Sequence, residues 1–169
     1  MGFLSRVKRL ISAKPEVTGK ISIYAPVSGK VVPIEHVPDA VFSEKIVGDG
    51  LAIEPTDQHV VAPIDGYIGK IFETNHAFSI ESSQGVEIFV HLGIGTVELR
   101  GNGLKRLVKE GQEVKVGDPI LAFDLDYLKE HTDSLLTPVL VANMEDVERL
   151  DKKNGQMQAG KDVLFTLVR

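Results

Sequence analysis

The sequence of 169 residues predicts an all-β fold, an antiparallel β-sandwich or distorted barrel with a few short helices. Three observations carry that expectation. β-Branched and aromatic runs recur along the chain, each cut by Gly, Pro or Asp, which is the punctuation of many short strands. Turn-and-strand units are echoed within the chain, as in barrels built from duplicated halves. The composition is that of an ordinary globular domain, 43% hydrophobic and 25% charged, enough for one core.

The first segment has a different texture. Residues 1–14 hold Arg6, Lys8, Arg9 and Lys14 and no acid, whereas the rest carries 15 basic against 24 acidic side chains. Phe3, Leu4, Val7, Leu10 and Ile11 share one helical stripe. The stripe is too short to span a bilayer and lacks the continuous apolar core of a signal peptide. Residues 1–18 therefore read as a basic amphipathic extension. It would touch anionic lipid weakly and reversibly, or serve as a solubilising tail or a helix docked on the body. Pro15 and Gly19 end it, and residues 19–169 form the domain proper.

Strands are expected at 21–25, 30–32, 51–53, 60–62, 66–72, 79–81, 86–91, 113–116, 120–123, 137–141 and 163–167. Ala25-Pro26-Val27-Ser28-Gly29 is echoed by Ala62-Pro63-Ile64-Asp65-Gly66. Val47-Gly48-Asp49 is echoed by Val116-Gly117-Asp118, and more weakly by Gly160-Lys161-Asp162. Two short helices are expected. One spans 124–131 behind an Asp124 cap. The other spans 143–150, with Asn143 as cap and Asp146 at the reciprocal position. Leu125 with Leu128, and Val147 with Leu150, would be their buried contacts.

Several function classes fall away. The chain has no cysteine, which excludes disulfides, thiolate metal sites and a cysteine nucleophile. The net charge of −5 argues against general nucleic-acid binding. There is no Walker A loop, no G-x-S-x-G elbow, no H-E-x-x-H and no G-x-G-x-x-G opening a helix. A phosphoryl donor, if there is one, would be another protein.

Five histidines remain. His36, His59 and His131 stand in polar or helix-end settings and read as surface residues. His76 and His91 end or follow strongly β-like runs. Strand parity places Phe72, Thr74, His76 and Phe78 on one face, and Glu87, Phe89 and His91 on one face of the later run. Asn75 lies on the opposite parity and marks a candidate bulge. If the two faces meet, two imidazoles come together under a phenylalanine rim. A neutral imidazole is a good nucleophile near pH 7 and can carry a phosphoryl group. A second imidazole could donate a hydrogen bond to it. Thr74 could fix the tautomer of His76, and a backbone carbonyl near Gly93 that of His91. Two other readings stay open on spacing alone. The histidines could be unrelated core or edge residues, or they could be half of a zinc set.

Three runs carry a resemblance: residues 39–50, beginning Asp39-Ala40-Val41-Phe42; residues 69–80, containing Thr74-Asn75-His76; and residues 85–94, containing Phe89-Val90-His91. Together they closely resemble the glucose-specific enzyme IIA component of the bacterial sugar phosphotransferase system, over nearly the whole chain. The resemblance implies an antiparallel β-sandwich of the duplicated hybrid-motif barrel type. It implies a cytoplasmic phosphotransferase component, at most peripheral at the inner face of the membrane. This carrier would accept phosphate from the phosphorylated histidine carrier protein HPr and pass it to a cysteine of a sugar-permease IIB domain.

The resemblance also assigns residues. It implies that His91 takes the phosphoryl group at Nε2, that His76 stabilises transfer and that Thr74 orients His76. It places Val41, Phe42, Ile46, Val47, Phe72, Phe78 and Phe89 in an apolar collar that docks partners. Asp39 becomes an acidic rim position. Gly95 departs from the pattern, since close relatives carry a second rim aspartate there. No cofactor is required, although zinc bridging His76, His91 and a partner's glutamate is a family feature. Glycerol kinase, other permeases and adenylate cyclase are the implied regulatory partners.

Two competing classes fit less well. A zinc hydrolase on a related barrel needs an H-x-H pair, and Phe89 stands two before His91. A lipoyl- or biotinyl-type carrier needs a lysine at a hairpin tip beside Met, and Met1, Met144 and Met157 flank none.

Overall fold

The structure, a computed structural model, describes residues 19–169. The expected amphipathic extension, 1–18, lies outside the described residues. The remainder is built almost wholly of antiparallel strands. In chain order these are β1 (Lys20–Tyr24), β2 (Gly29–Pro33), β3 (Asp49–Pro55), β4 (His59–Val61), β5 (Gly66–Ile71), β6 (Ala77–Glu81), β7 (Glu87–His91) and β8 (Leu104–Arg106). Then follow β9 (Glu113–Val114), β10 (Pro119–Phe123), β11 (Thr137–Val141), β12 (Arg149–Lys152), β13 (Gln156–Met157) and β14 (Val163–Val168). Two α-helices interrupt them, α1 (Ala40–Ser43) and α2 (Leu125–His131).

The strands form an eight-stranded sheet in the order β13-β2-β3-β11-β7-β6-β5-β9 and two three-stranded sheets, β1-β14-β12 and β4-β10-β8. The sandwich expectation holds, as do all eleven expected strands, within a residue or two at most of their ends.

The large sheet uses its two faces differently. One face feeds the main core, with Ile53, Ile68, Phe78, Ile80, Ile88, Val90 and Val139 joined by Phe165 and Leu121 from the smaller sheets. The other face carries a smaller cluster of Ile34, Val37, Phe42, Ala52, Ile94 and Leu140, with Phe89 and Leu136 packed at its margin. Strand β7 shows the division directly. Ile88 and Val90 are buried in the main core, while Glu87, Phe89 and His91 alternate onto the other face and stay half-buried. The parity predicted for that run is the parity observed.

Two expectations need correcting. The helix expected over 143–150 is only a 3-10 turn at Met144–Asp146, followed by β12. Asn143 does not cap it. Its side chain instead accepts from the Glu87 N–H at 2.9 Å and donates to the Gly85 carbonyl at 2.7 Å, which ties it to the start of β7. Asp146 has no reciprocal role for the same reason. The helix at Leu125–His131 does form, with Asp124 accepting from the Tyr127 N–H at 3.1 Å and Leu128 fully buried.

The second correction concerns parity around His76. Phe72, Thr74, His76 and Phe78 do not lie on one strand. Residues 72–76 form the connection between β5 and β6, tightened by Asn75, whose φ of 60° is left-handed. Asn75 N–H donates to the Phe72 carbonyl at 2.7 Å, and Phe72 N–H to the Ala77 carbonyl at 3.0 Å. In β6 it is Ala77 and Ser79 that oppose His91 and Phe89. Phe78 turns the other way and is wholly buried in the main core. The turn, not the strand period, brings the His76 ring to the His91 side.

Candidate active site

His91 ends β7, and Ala77 pairs with it across the ladder. The alanine methyl leaves room above the sheet for two imidazoles. The Leu92 N–H donates to the His76 carbonyl at 2.8 Å, which fastens the His76 turn to the residue after His91. The two rings meet edge-on, with centroids 4.9 Å apart and planes at 81°. The sequence placed these histidines together only conditionally, and the structure brings them together.

Their inner nitrogens are both engaged. His91 Nδ1 lies 2.7 Å from the Gly93 carbonyl oxygen. A carbonyl only accepts, so His91 carries its proton on Nδ1 and Nε2 is left as a bare, nucleophilic nitrogen. Gly93 is glycine for a reason. Its φ is +71°, and a Cβ there would stand 2.9 Å from Thr96 Cγ2 and 3.1 Å from the Ser134 carbonyl. His76 Nδ1 shares a 2.5 Å hydrogen bond with the Thr74 hydroxyl, which can donate or accept.

Both rings are held neutral. His76 is only 3% exposed, and burial, with the neighbouring His91 adding to it, pushes its pKa down to about 4. Burial also lowers His91, opposed by the hydrogen bond to Gly93 and by the charge of Asp39. At neutral pH the pair therefore offers lone pairs rather than charge.

An aromatic wall surrounds them. Phe72 meets His76 edge-on at 5.3 Å and Phe89 at 5.9 Å, and Phe42 tilts against His91 at 5.0 Å. Phe42 comes from α1, a helix of four residues capped by Asp39, whose carboxylate accepts from the Val41 N–H at 3.0 Å. The sequence reading missed this helix, because one turn is too short to show a helical period. Around the wall, Val41, Ile46, Val47 and Phe72 are among the few large apolar side chains left exposed. Phe42 is nearly buried and supports His91 from below, and Phe78 offers no surface to a partner at all. Val97, half-exposed on the 3-10 turn Thr96–Leu99, is a further apolar residue that the sequence reading passed over. No pattern there separates it from an ordinary loop valine.

The connection bearing His76 has its own brace, also missed. Arg106 at the end of β8 donates from Nε to Asn75 Oδ1 at 2.8 Å and from Nη2 to the Phe72 carbonyl at 3.2 Å. No single-sequence signal links residues 31 and 34 positions apart. A surface hollow of about 510 Å³ between Gln58, His59, Leu104 and Asp124 shares no residue with the histidine pair. Among the described residues no group of three or more His, Cys, Asp or Glu gathers as a metal site. Two imidazoles are half of a tetrahedral set, so the chain alone does not fit a bound zinc.

Comparison with known proteins identifies the family. Residues 21–147 match the family of the phosphoenolpyruvate-dependent sugar phosphotransferase system, EIIA 1. The chain is 52% identical over 159 residues to the PTS system glucose-specific EIIA component of Haemophilus influenzae, covering 94% of this chain and 96% of that protein. It is 46% identical to part of the N-acetylglucosamine-specific EIICBA component of Escherichia coli, covering 92% of this chain and 24% of that longer protein. The solved structure of glucose permease IIA from Mycoplasma capricolum superposes with a TM-score of 0.80 at 34% identity, covering 87% of this chain and 95% of that one. The chain thus belongs to the EIIA 1 family of the phosphoenolpyruvate-dependent sugar phosphotransferase system and is a phosphotransferase component of that relay.

Proposed function

We propose that His91 accepts a phosphoryl group from phosphorylated HPr and passes it to a cysteine of a sugar-permease IIB domain. The observation that carries this is the bond from His91 Nδ1–H to the Gly93 carbonyl, which leaves Nε2 free to attack. The Nε2 lone pair forms the new P–N bond as the donor's P–N bond breaks, and the donor imidazole leaves with its electron pair. In the second step the cysteine thiolate attacks phosphorus and the pair returns to Nε2. The Thr74 hydroxyl donates to His76 Nδ1 in this reading, leaving a proton on Nε2 of His76 to steady the phosphoryl oxygens. The aromatic wall keeps water from hydrolysing the adduct.

Val41, Ile46, Val47, Phe72 and Phe89 then form the docking collar, with Asp39 on its rim. A dianion in that collar penalises apolar or acidic surfaces, so loaded and unloaded forms would choose different partners. Regulatory contacts with glycerol kinase, other permeases and adenylate cyclase would work through this change. A cytoplasmic location suits such partners, and among the described residues no helix is long and apolar enough to cross a membrane. Zinc at His76 and His91 would need a partner's carboxylate, and the zinc-hydrolase alternative finds no support in the site.

Incubation with enzyme I, HPr and phosphoenolpyruvate should yield an acid-labile, base-stable phosphoprotein. His91→Ala should abolish labelling, and His76→Ala should mainly slow transfer onward. Labelling that persists without His91 would refute the assignment.

A further inference from the structure

We infer that Asp133 is a docking contact for the basic surface of the protein that delivers the phosphoryl group, and that Gly95 is small to make room for it. The inference rests on the relay reading above and adds a residue and a partner chemistry to it.

Its position comes first. The loop after His91 is laced to the segment before β11. Ile94 N–H donates to the Ser134 carbonyl at 2.8 Å, and Asp133 N–H donates back to the Ile94 carbonyl at 3.1 Å. The same loop supplies the Gly93 carbonyl that fixes His91, and Gly93 N–H is itself held by the Thr137 hydroxyl at 3.3 Å. Asp133 is therefore anchored through its backbone to the stretch that orients the nucleophile.

Its side chain is directed by Gly95. A Cβ on Gly95 would stand 2.6 Å from Asp133 Oδ2 and 3.0 Å from its Cγ. The carboxylate thus lies over the glycine, in space that any other residue would claim. Gly95 also has φ +81°, which a side chain would strain. Asp133 is exposed, and neither its carboxylate oxygens nor its charge are paired with any other described residue. An exposed, unpaired carboxylate on an anchored backbone is ready for a cation from outside.

Charge complementarity then chooses the occupant. Asp39 already directs negative charge at His91. A second carboxylate beside the His91 loop would repel an incoming phosphoryl group unless its carrier brought compensating positive charge. The exposed apolar residues Val41, Phe72 and Val97 supply contact area, and the two aspartates supply register and approach speed. A lysine- or arginine-bearing face around the donor's phosphohistidine meets these demands together.

The test is the rate of phosphoryl transfer from phosphorylated HPr to the full chain at low and high salt. Asp133→Asn should lower kcat/KM about three- to tenfold at low salt, with kcat unchanged. Asp133→Lys should lower it roughly ten- to a hundredfold, and both losses should shrink toward about 1 M salt. Glu81→Gln removes one exposed acid at the end of β6 opposite Ala77 and controls for net charge. Asp133→Asn matching Glu81→Gln at both salt concentrations would overturn this inference alone. A wild-type chain that takes no phosphoryl group would remove the relay reading along with it.

Discussion

At the scale of single residues, the chemistry depends on keeping two neighbouring imidazoles uncharged. Below pH 6.5 an unfolded chain protonates its histidines, while native His76 resists until about pH 4. Its folded pKa is depressed, so the stability linked to it is full above 6.5 and is lost as the pH falls toward 4. An NMR titration of the imidazole protons should find the His76 midpoint near 4 and that of His91 below 6.5. The labelling rate should stay flat through neutral pH and fall only in acid. A His76 midpoint at or above 6.5 would contradict the burial argument. Much of this pair was legible in the sequence. Parity put His91 beside Phe89, and Thr74 was marked as the partner of His76. What was not legible was Gly95. In the sequence it reads as a missing acid, whereas in space the Asp133 carboxylate fills that place from 38 positions away.

At the scale of elements, the β5–β6 connection matters most, because it carries His76 on a turn rather than in a strand. Arg106 holds that turn at two points, on Asn75 and on the Phe72 carbonyl. Arg106→Ala should slow phosphoryl transfer about tenfold, through a displacement of His76 of an ångström or less. KM and the thermal midpoint should change little, and Arg106→Lys should recover part of the rate. A loss confined to stability, with kcat intact, would show the arginine to be merely structural. Strand runs rich in Val and Ile were readable because they alternate. Arg149–Lys152 was not, since this edge strand has a single apolar residue, Leu150, among charged neighbours and shows no period. Asn143, Asp146, Val147 and Leu150 imitate a capped helix there. Pairing with β14 and the Asn143 bonds to the start of β7 override that local preference.

At the scale of the whole molecule, the order of strands was invisible in the sequence, because pairing joins residues far apart. The last strand is the example. β14 is the centre of its sheet, with β1 on one side and β12 on the other, and it buries Leu164, Phe165 and Leu167 completely. Each such side chain is worth roughly 2–5 kcal/mol, against about 5–15 kcal/mol for a typical domain. A chain ending at residue 162 should therefore show no cooperative thermal transition, by calorimetry or circular dichroism. The echoed Ala-Pro and Val-Gly-Asp turns foretold a duplicated barrel without saying which copies would touch.

Lys20 lies opposite Val168 in the ladder joining β1 to β14. With residues 1–18 left off, closing the covalent loop between those neighbours would need only a few added residues, and the chain could then be opened at an exposed bend elsewhere. The order in which the ribosome makes the segments is thus separable from the chemistry they perform together.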